Sequence, residues 1–256
     1  MKTTMMLTAI AAIGLTLSTS GFARSDDKTK PVLLVHGWSV TQSGYDCSNY
    51  FKDIISSLKT QGFSGPFVTV GYYKGDSNCT VNLQQTDSSL TDNSPWKSIA
   101  AVFSRYVNQT YTSTGQVIDV LGHSMGGLII RGAVQGSAEQ QVGFAPMMIE
   151  DAATIATPHA GTSSTLFCSS TQCRAMARNH PDIAWLAKNG NPQSLIATDW
   201  TVTGSSTDEV VGSASALNMN LDSLHKQSFI GLSHFGQLSN SKSVNRALAA
   251  LVWANQ

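Results

Sequence analysis

Charge is what this 256-residue chain has least of: 16 Lys and Arg and 16 Asp and Glu make up only 12% of it. Globular domains carry roughly 25% charged residues, so this exterior must be polar without being ionic. A net charge of zero offers no basic face, and no nucleic-acid partner is expected. Beyond the N-terminal segment no stretch approaches 18 consecutive apolar residues, so no later span of a bilayer is expected. The four cysteines form no CxxC pair and have few histidines near them, which leaves little for a zinc site. No internal repeat or linker-like stretch divides the chain, and one domain is the simpler organisation. What is abundant is hydroxyl, with 33 Ser and 24 Thr. Beside 41% hydrophobic residues and no charge runs, this describes a folded protein with a neutral, hydroxyl-rich surface.

The first residues bear on where it works. Lys2 is followed by an almost unbroken apolar run from Met5 to Leu17, then by Gly21-Phe22-Ala23, with small residues three and one before a cleavage point. The pattern predicts a signal peptide over 1–23, a mature domain over 24–256, and a secreted location, extracellular or periplasmic. The apolar run is too short to span a bilayer comfortably. In an exported chain Cys47, Cys79, Cys168 and Cys173 are expected to form two disulfides, with three connectivities open. Cys47–Cys79 and Cys168–Cys173 are favoured, because each pair sits in loop-like sequence on its own side of the central motif described below.

Short apolar runs at Pro31–Val35 and Val117–Leu121 read as strands, as do Phe67–Tyr72 and Ile149–Ile155, and Thr198–Thr203 and Gln227–Leu232 alternate as strands. Between them lie helical patterns. Tyr50, Phe51, Ile54, Ile55 and Leu58 mark a helix over 48–60, and Ile99, Val102, Phe103 and Tyr106 mark one opening at Pro95. Leu128–Ile130 begins another, and Val244–Trp253 closes the chain. Residues 74–95 read as a long polar loop tied down by Cys79. Residues 163–195 read as irregular, with Ala175, Met176, Ala177, Ile183, Trp185 and Leu186 forming either a partial lid or part of the core. Alternating strands and helices predict an α/β fold, a mostly parallel central sheet with helices on both faces.

Gly122-His123-Ser124-Met125-Gly126-Gly127 matches G-x-S-x-G. The pattern alone is common, but here it follows an apolar strand and precedes an apolar helix, the setting in which it acts as a nucleophile elbow. The turn forces the serine into a strained conformation that projects its Oγ, and the glycines give room for it. Acyl transfer also needs donors for an oxyanion. The Met125 N–H, next after the nucleophile at a helix start, is one. The Trp38 N–H, in the loop His36-Gly37-Trp38 after the first strand, is the other.

In this arrangement the acid and the base follow the serine along the chain, acid first. His234 lies just past the last strand, at the carboxyl end where such sheets bind ligands. His225 precedes that strand, His180 sits in a polar loop before Pro181, and His159 ends an earlier strand with no acid-then-base order after it. Asp208 follows the strand Thr198–Thr203 after a short turn, placed to accept from His234 Nδ1 and fix its tautomer. Glu209 beside it is the competitor, whereas Asp151, Asp182, Asp199 and Asp222 are less well placed along the chain.

The chain resembles the secreted bacterial lipases and esterases of the α/β-hydrolase superfamily. The resemblance rests on Val-Leu-Leu-Val-His-Gly-Trp (32–38), the elbow (122–127), Thr-Pro-His-Ala-Gly-Thr (157–162), Ser-Ser-Thr-Asp-Glu-Val-Val (205–211) and Leu-Ser-His-Phe-Gly (232–236). It implies a single-domain α/β-hydrolase fold and a triad of Ser124, Asp208 and His234, with Trp38 and Met125 as oxyanion donors. It further implies cleavage of carboxylic esters, as a triacylglycerol lipase or carboxylesterase. No metal, no cofactor and no obligate protein partner are expected; a lipid or small ester substrate and transient contact with a lipid interface are. Polyester or thioester hydrolysis, acyl transfer and peptidase activity use the same elbow and stay open. A non-catalytic binding module is the alternative from another class, and it would be expected to have lost a triad member.

Overall fold

The seven short segments that pair into the central sheet are β1 (Val32–Val35), β2 (Phe67–Gly71), β3 (Val81–Asn82), β4 (Ile118–His123), β5 (Ile149–Ile155), β6 (Asp199–Ser205) and β7 (Lys226–Phe229). The computed structural model describes residues 27–164 and 168–252, so the segment 1–23, expected to be a signal peptide, lies outside the described residues. Every pairing is parallel, in the order β3-β2-β1-β4-β5-β6-β7. The helices are α1 (Cys47–Tyr50), α2 (Lys52–Thr60), α3 (Leu83–Thr86), α4 (Trp96–Thr110), α5 (Met125–Ala138), α6 (Thr171–Arg174), α7 (Pro181–Leu186), α8 (Ser213–Ala216) and α9 (Ser241–Ala249).

Strands covered on both faces read as unbroken apolar runs, because neither set of alternating side chains meets water. β1 is the clearest case. Leu33 and Val35 enter a core with Trp96, Ile99 and Phe103 of α4 and Leu128 and Ile129 of α5. Val32 and Leu34 point the other way, to Phe51, Ile54 and Leu58 and to Val244 and Leu248 of α9. Helices thus cover both faces, as the alternation of elements predicts.

Strand order reverses at β1: the chain runs outward to β2 and β3, then crosses back to β4. The connections leaving β1 and β4 therefore diverge and open a crevice at their carboxyl ends. Val35 pairs with Gly122, so the loop after β1 and the turn after β4 flank that crevice side by side.

Two segments ahead of β4 differ from the sequence reading, and the insert 163–195 takes one of the two forms left open for it. The helix expected over 48–60 breaks at Phe51, with α1 capped by Asp46 accepting from the Asn49 N–H. The long loop 74–95 holds β3, whose two residues pair with Val70 and Gly71, and then α3, capped by Asn82. Two residues are too few to show any period. In the irregular insert, Ala175, Met176, Ile183, Trp185 and Leu186 are core residues. Trp185 stacks on Trp96 at 6.3 Å, and the Trp96 Nε1–H donates to the Ala175 carbonyl at 2.8 Å. Both favoured disulfides are formed, Cys47–Cys79 and Cys168–Cys173. No helix among the described residues is long and apolar enough to cross a membrane.

At the opposite, amino end of the sheet lies a buried cluster of charges. Lys30 Nζ stands 2.9 Å from Asp119, 2.6 Å from Glu150 and 3.5 Å from Asp151. Three carboxylates share one ammonium. Burial, with Asp151 and Glu150 adding to it, pushes the Asp119 carboxyl up to about 8 against the pull of Lys30.

Candidate active site

Ser124 sits at the turn between β4 and α5 with φ 53° and ψ −126°, a conformation that costs a non-glycine residue about 1–3 kcal/mol. Its N–H is held by the Ile155 carbonyl at 2.9 Å. Two glycines make the turn possible by close approach. A Cβ on Gly126 would lie 2.1 Å from the Val35 carbonyl oxygen, and one on Gly122 would lie 2.6 Å from the Gly127 nitrogen. α5 is therefore pressed against the end of β1, its N-terminal dipole beside the serine. Among the described residues, neither the Met125 N–H nor the Trp38 N–H donates to a protein acceptor.

The loop carrying Trp38 is held by tyrosines. Tyr72 donates to the carbonyls of His36 and Gly37 at 2.8 and 2.6 Å, and Tyr45 donates to the Trp38 carbonyl at 2.8 Å. The Gly37 N–H donates to the Tyr50 hydroxyl at 3.0 Å, and the Ser39 N–H to the Tyr73 hydroxyl at 3.1 Å. Side chains so occupy the backbone groups on either side of the Trp38 N–H. Beneath them Asp76 accepts from the N–H groups of Tyr45, Tyr72 and Tyr73 at 2.7, 2.6 and 2.8 Å, and lies 3.0 Å from His36 Nε2. Burial alone would raise the Asp76 carboxyl, but the His36 contact and these amides outweigh it and hold it below its ordinary value. The Cys47–Cys79 disulfide and the bonds Cys47 N–H to Ser77 and Ser77 N–H to Tyr45, both 2.9 Å, fasten this turn to α1.

On the other side of the crevice His234 Nδ1 meets Asp208 Oδ2 at 2.9 Å, both side chains buried. Asp208 follows β6 and His234 follows β7, so two adjacent strand ends bring them together. The same Oδ2 accepts from Gln237 Nε2 at 2.8 Å, and Oδ1 accepts from the N–H groups of Val210 and Val211, each at 2.8 Å. Burial tends to raise the Asp208 carboxyl, but the His234 bond and the amides prevail and hold it below the ordinary range, ionised. Glu209 takes a different part: its Oε2 accepts the backbone N–H of His234 at 3.2 Å, not the ring.

The remaining candidates lie elsewhere. His225 is paired with Asp222 and Asp199 at the amino end of β7. His180 caps α7, and Asp182 stands 3.8 Å from Lys97. His159 is buried against Thr154 Oγ1 at 3.0 Å, and burial together with Arg131 drives its ring well below the usual range, hence neutral. Ser124 and His234 line one cavity of about 100 Å³, walled by Trp38, Tyr50, Pro158, Met176, Val211 and Phe235. The wall is almost wholly apolar, suited to a hydrocarbon group.

Residues 31–207 match the sequence model of the palmitoyl protein thioesterase family. The chain belongs to that family. The match takes in Trp38, Ser124 and Met125 and stops one residue short of Asp208. A triacylglycerol lipase from Burkholderia plantarii is 27% identical over 156 residues, 59% of this chain but only 37% of that protein. The chain thus spans little more than a third of that relative. In fold, it is similar to a mature Bacillus licheniformis lipase (TM-score 0.56, 13% identity, 89% of this chain and 94% of that one). It is also similar to a Legionella pneumophila phospholipase (TM-score 0.60, 14% identity, 87% and 58%) and to Aspergillus fumigatus lipase B (0.60, 16%, 89% and 53%). These likenesses show the α/β-hydrolase fold.

Within this palmitoyl protein thioesterase family member, the sequence reading missed Tyr72, Tyr73, Asp76 and Gln237. A signal was available for the first three. They follow the end of β2, at the same sheet edge as the ends of β1 and β4. Gln237 lies three residues after His234, one turn along a short 3₁₀ stretch.

Proposed function

We propose that the protein is a secreted serine hydrolase that cleaves carboxylic esters through an acyl-enzyme on Ser124. The observation that carries this reading is one apolar cavity holding both a strained serine at a helix N-terminus and a histidine whose Nδ1 is taken up by a buried, ionised aspartate. With Nδ1 so occupied, the other ring nitrogen of His234 is the proton acceptor. It takes the Ser124 proton as Oγ attacks the ester carbonyl, and Asp208 stabilises the imidazolium that forms. The N–H groups of Trp38 and Met125 receive the oxyanion. Collapse of the tetrahedral intermediate expels the alcohol, which takes the proton from His234. Water then attacks the acyl-enzyme by the same route, its proton passing through His234 to Ser124 as the acid is released.

Labelling of the purified protein by a fluorophosphonate tests this, with Ser124→Ala as control. Labelling of the native protein alone is expected; equal labelling of both forms refutes the assignment. The N-terminal pattern supports export, and a mature protein beginning at Arg24 would bear that out. Val40 and Phe235, 75% and 51% exposed at the cavity mouth, supply apolar surface for brief contact with a lipid interface.

The family match favours a second reading, thioester hydrolysis. The same machinery serves it, and a thiolate leaves with less need of the proton on His234. Acyl-thiocholine and acyl-choline substrates of equal chain length separate the two by their kcat/KM.

A further inference from the structure

Tyr50 and His123 lie between the two halves of the site. The Gly37 N–H donates to the Tyr50 hydroxyl at 3.0 Å, and that hydroxyl is 2.6 Å from His123 Nδ1. His123 Nε2 is 3.2 Å from the His234 carbonyl oxygen. One arrangement of protons satisfies all three contacts. The Tyr50 oxygen accepts from Gly37, so its single proton goes to Nδ1; His123 is then neutral and donates from Nε2–H to His234. Burial agrees at both ends. It pushes the Tyr50 hydroxyl well above its ordinary range, so the proton stays on oxygen. Burial, with His234 adding to it, drives His123 well below the ordinary histidine range, so the ring stays uncharged.

We propose that Tyr50 and His123 are positioning residues, a hydrogen-bonded strut that sets the spacing between the oxyanion loop and the His234 loop across Ser124. The inference rests on the serine-hydrolase reading above. The strut joins four separate segments: the loop after β1, the end of α1, the residue before the nucleophile, and the loop after β7. Gly37 is tied at the residue before the oxyanion donor Trp38, and His234 is tied at its own backbone. A Cβ on Gly37 would lie 2.9 Å from Ser124 Cβ and 3.0 Å from the Tyr50 oxygen, so there is no slack between loop and nucleophile. The His123 and His234 rings are 4.8 Å apart between centroids. A neutral His123 leaves His234 to gain its proton during attack without a second positive ring beside it.

The test begins with fluorophosphonate titration of the native protein, where no labelling would refute the serine-hydrolase reading itself. Given labelling, Tyr50→Phe is expected to lower kcat about 100-fold with KM within twofold, the size of effect a displacement of about 1 Å brings. A boronic acid that mimics the tetrahedral intermediate should weaken by the same factor, a loss that general destabilisation would not produce. His123→Gln, whose amide oxygen and nitrogen can accept from Tyr50 and donate to His234, should recover most of the activity that His123→Leu loses. The Tyr50→Phe/His123→Leu double variant should be no worse than the poorer single one. Should a variant fail to fold, ¹⁵N–¹H spectra of the native imidazoles decide, His123 being expected as the Nε2–H tautomer. The strut is refuted by Tyr50→Phe kinetics within threefold of native, by losses that multiply in the double variant, or by a proton on His123 Nδ1.

Discussion

Replacing Asp208 by Asn tests the orienting role more sharply than removing the side chain, because the shape is kept and one oxygen becomes a donating NH₂. In the native site four N–H groups converge on the carboxylate: Val210 and Val211 on Oδ1, His234 and Gln237 on Oδ2. Asparagine must put its NH₂ at one of these two places. At the Oδ1 place it would face two backbone amides at 2.8 Å that cannot turn away. It therefore goes to the Oδ2 place. Gln237 can adapt, since its Oε1 is buried without a partner and a flip of the amide makes it an acceptor. His234 adapts only by moving its proton, accepting at Nδ1 and carrying hydrogen at Nε2. That tautomer cannot take the Ser124 proton. The expected loss in kcat is about 10⁴-fold, equivalent to about 5.4 kcal/mol in the barrier. KM and the melting temperature should change little, because the packing and most of the hydrogen bonds survive. Initial rates on 4-nitrophenyl butyrate at equal folded protein measure it, and imidazole ¹⁵N spectra report the tautomer. Retention of more than about a tenth of native activity would refute the reasoning and move the acid elsewhere. Glu209→Gln, which alters a contact to the His234 backbone only, should stay within about threefold.

Further outcomes are expected for the cavity, the buried charge cluster and the disulfide. A cavity of about 100 Å³ is smaller than the engineered void of about 150 Å³ known to hold benzene, so it encloses roughly four or five carbons. Butyrate esters should therefore exceed palmitate esters at least tenfold in kcat/KM and Met176→Ala should shift the profile toward longer chains; a palmitate optimum would show that the chain lies outside the cavity. Lys30→Met leaves three carboxylates facing one another and should cost about 3–5 kcal/mol in urea unfolding. In the native protein Asp119, raised to about 8, binds a proton that the unfolded chain releases near 4, so its contribution to stability falls as pH rises through that window. Asp119→Asn should flatten that slope in the urea midpoint. The Cys47→Ala/Cys79→Ala variant opens a ring with a sequence separation of 32, worth about 4 kcal/mol, and calorimetry should find Tm lower by roughly 8–15 °C.

The sheet was legible because parallel strands buried on both faces leave a continuous apolar trace, as at Val32–Val35. The serine was legible for a related reason. The elbow is a local steric device, and its glycines, the strand before it and the helix after it are neighbours in sequence. β3 left no trace, since Val81–Asn82 owes its existence to its register with Val70 and Gly71 and has no period of its own. The edge strand β7 runs over Lys226–Phe229, earlier than the Gln227–Leu232 alternation suggests, because its length follows its pairing with Val202–Ser205. Asp208 and Glu209 are adjacent, and no propensity separates them; only the geometry of two strand ends brings Asp208, and not its neighbour, to the His234 ring.

The scaffold of the proposed oxyanion loop was legible only in the position of Tyr72, Tyr73 and Asp76 after β2, and its contacts were hidden for a deeper reason. Its tyrosines, at 45, 50, 72 and 73, each serve through a hydroxyl that meets a backbone group of residues 36–39. A hydroxyl–backbone contact places no demand on the identity of the residue it reaches, so nothing in the sequence near Trp38 announces it. Its energetic weight is nonetheless concentrated. A loop whose carbonyls and amides are already occupied cannot rearrange when charge develops, and fixed donors act on an oxyanion without the cost of reorienting. The same reasoning assigns the segment 74–95 a purpose that its polarity hides. Asp76 gathers three tyrosine amides and His36 into one carboxylate, and the Cys47–Cys79 bond fastens that turn to the helix that carries Tyr50. Opening the disulfide should accordingly depress kcat at temperatures well below the melting transition, while leaving the His234–Asp208 side of the site intact. If activity and global unfolding were instead lost together, the disulfide would be a staple for the whole fold and not for the oxyanion loop.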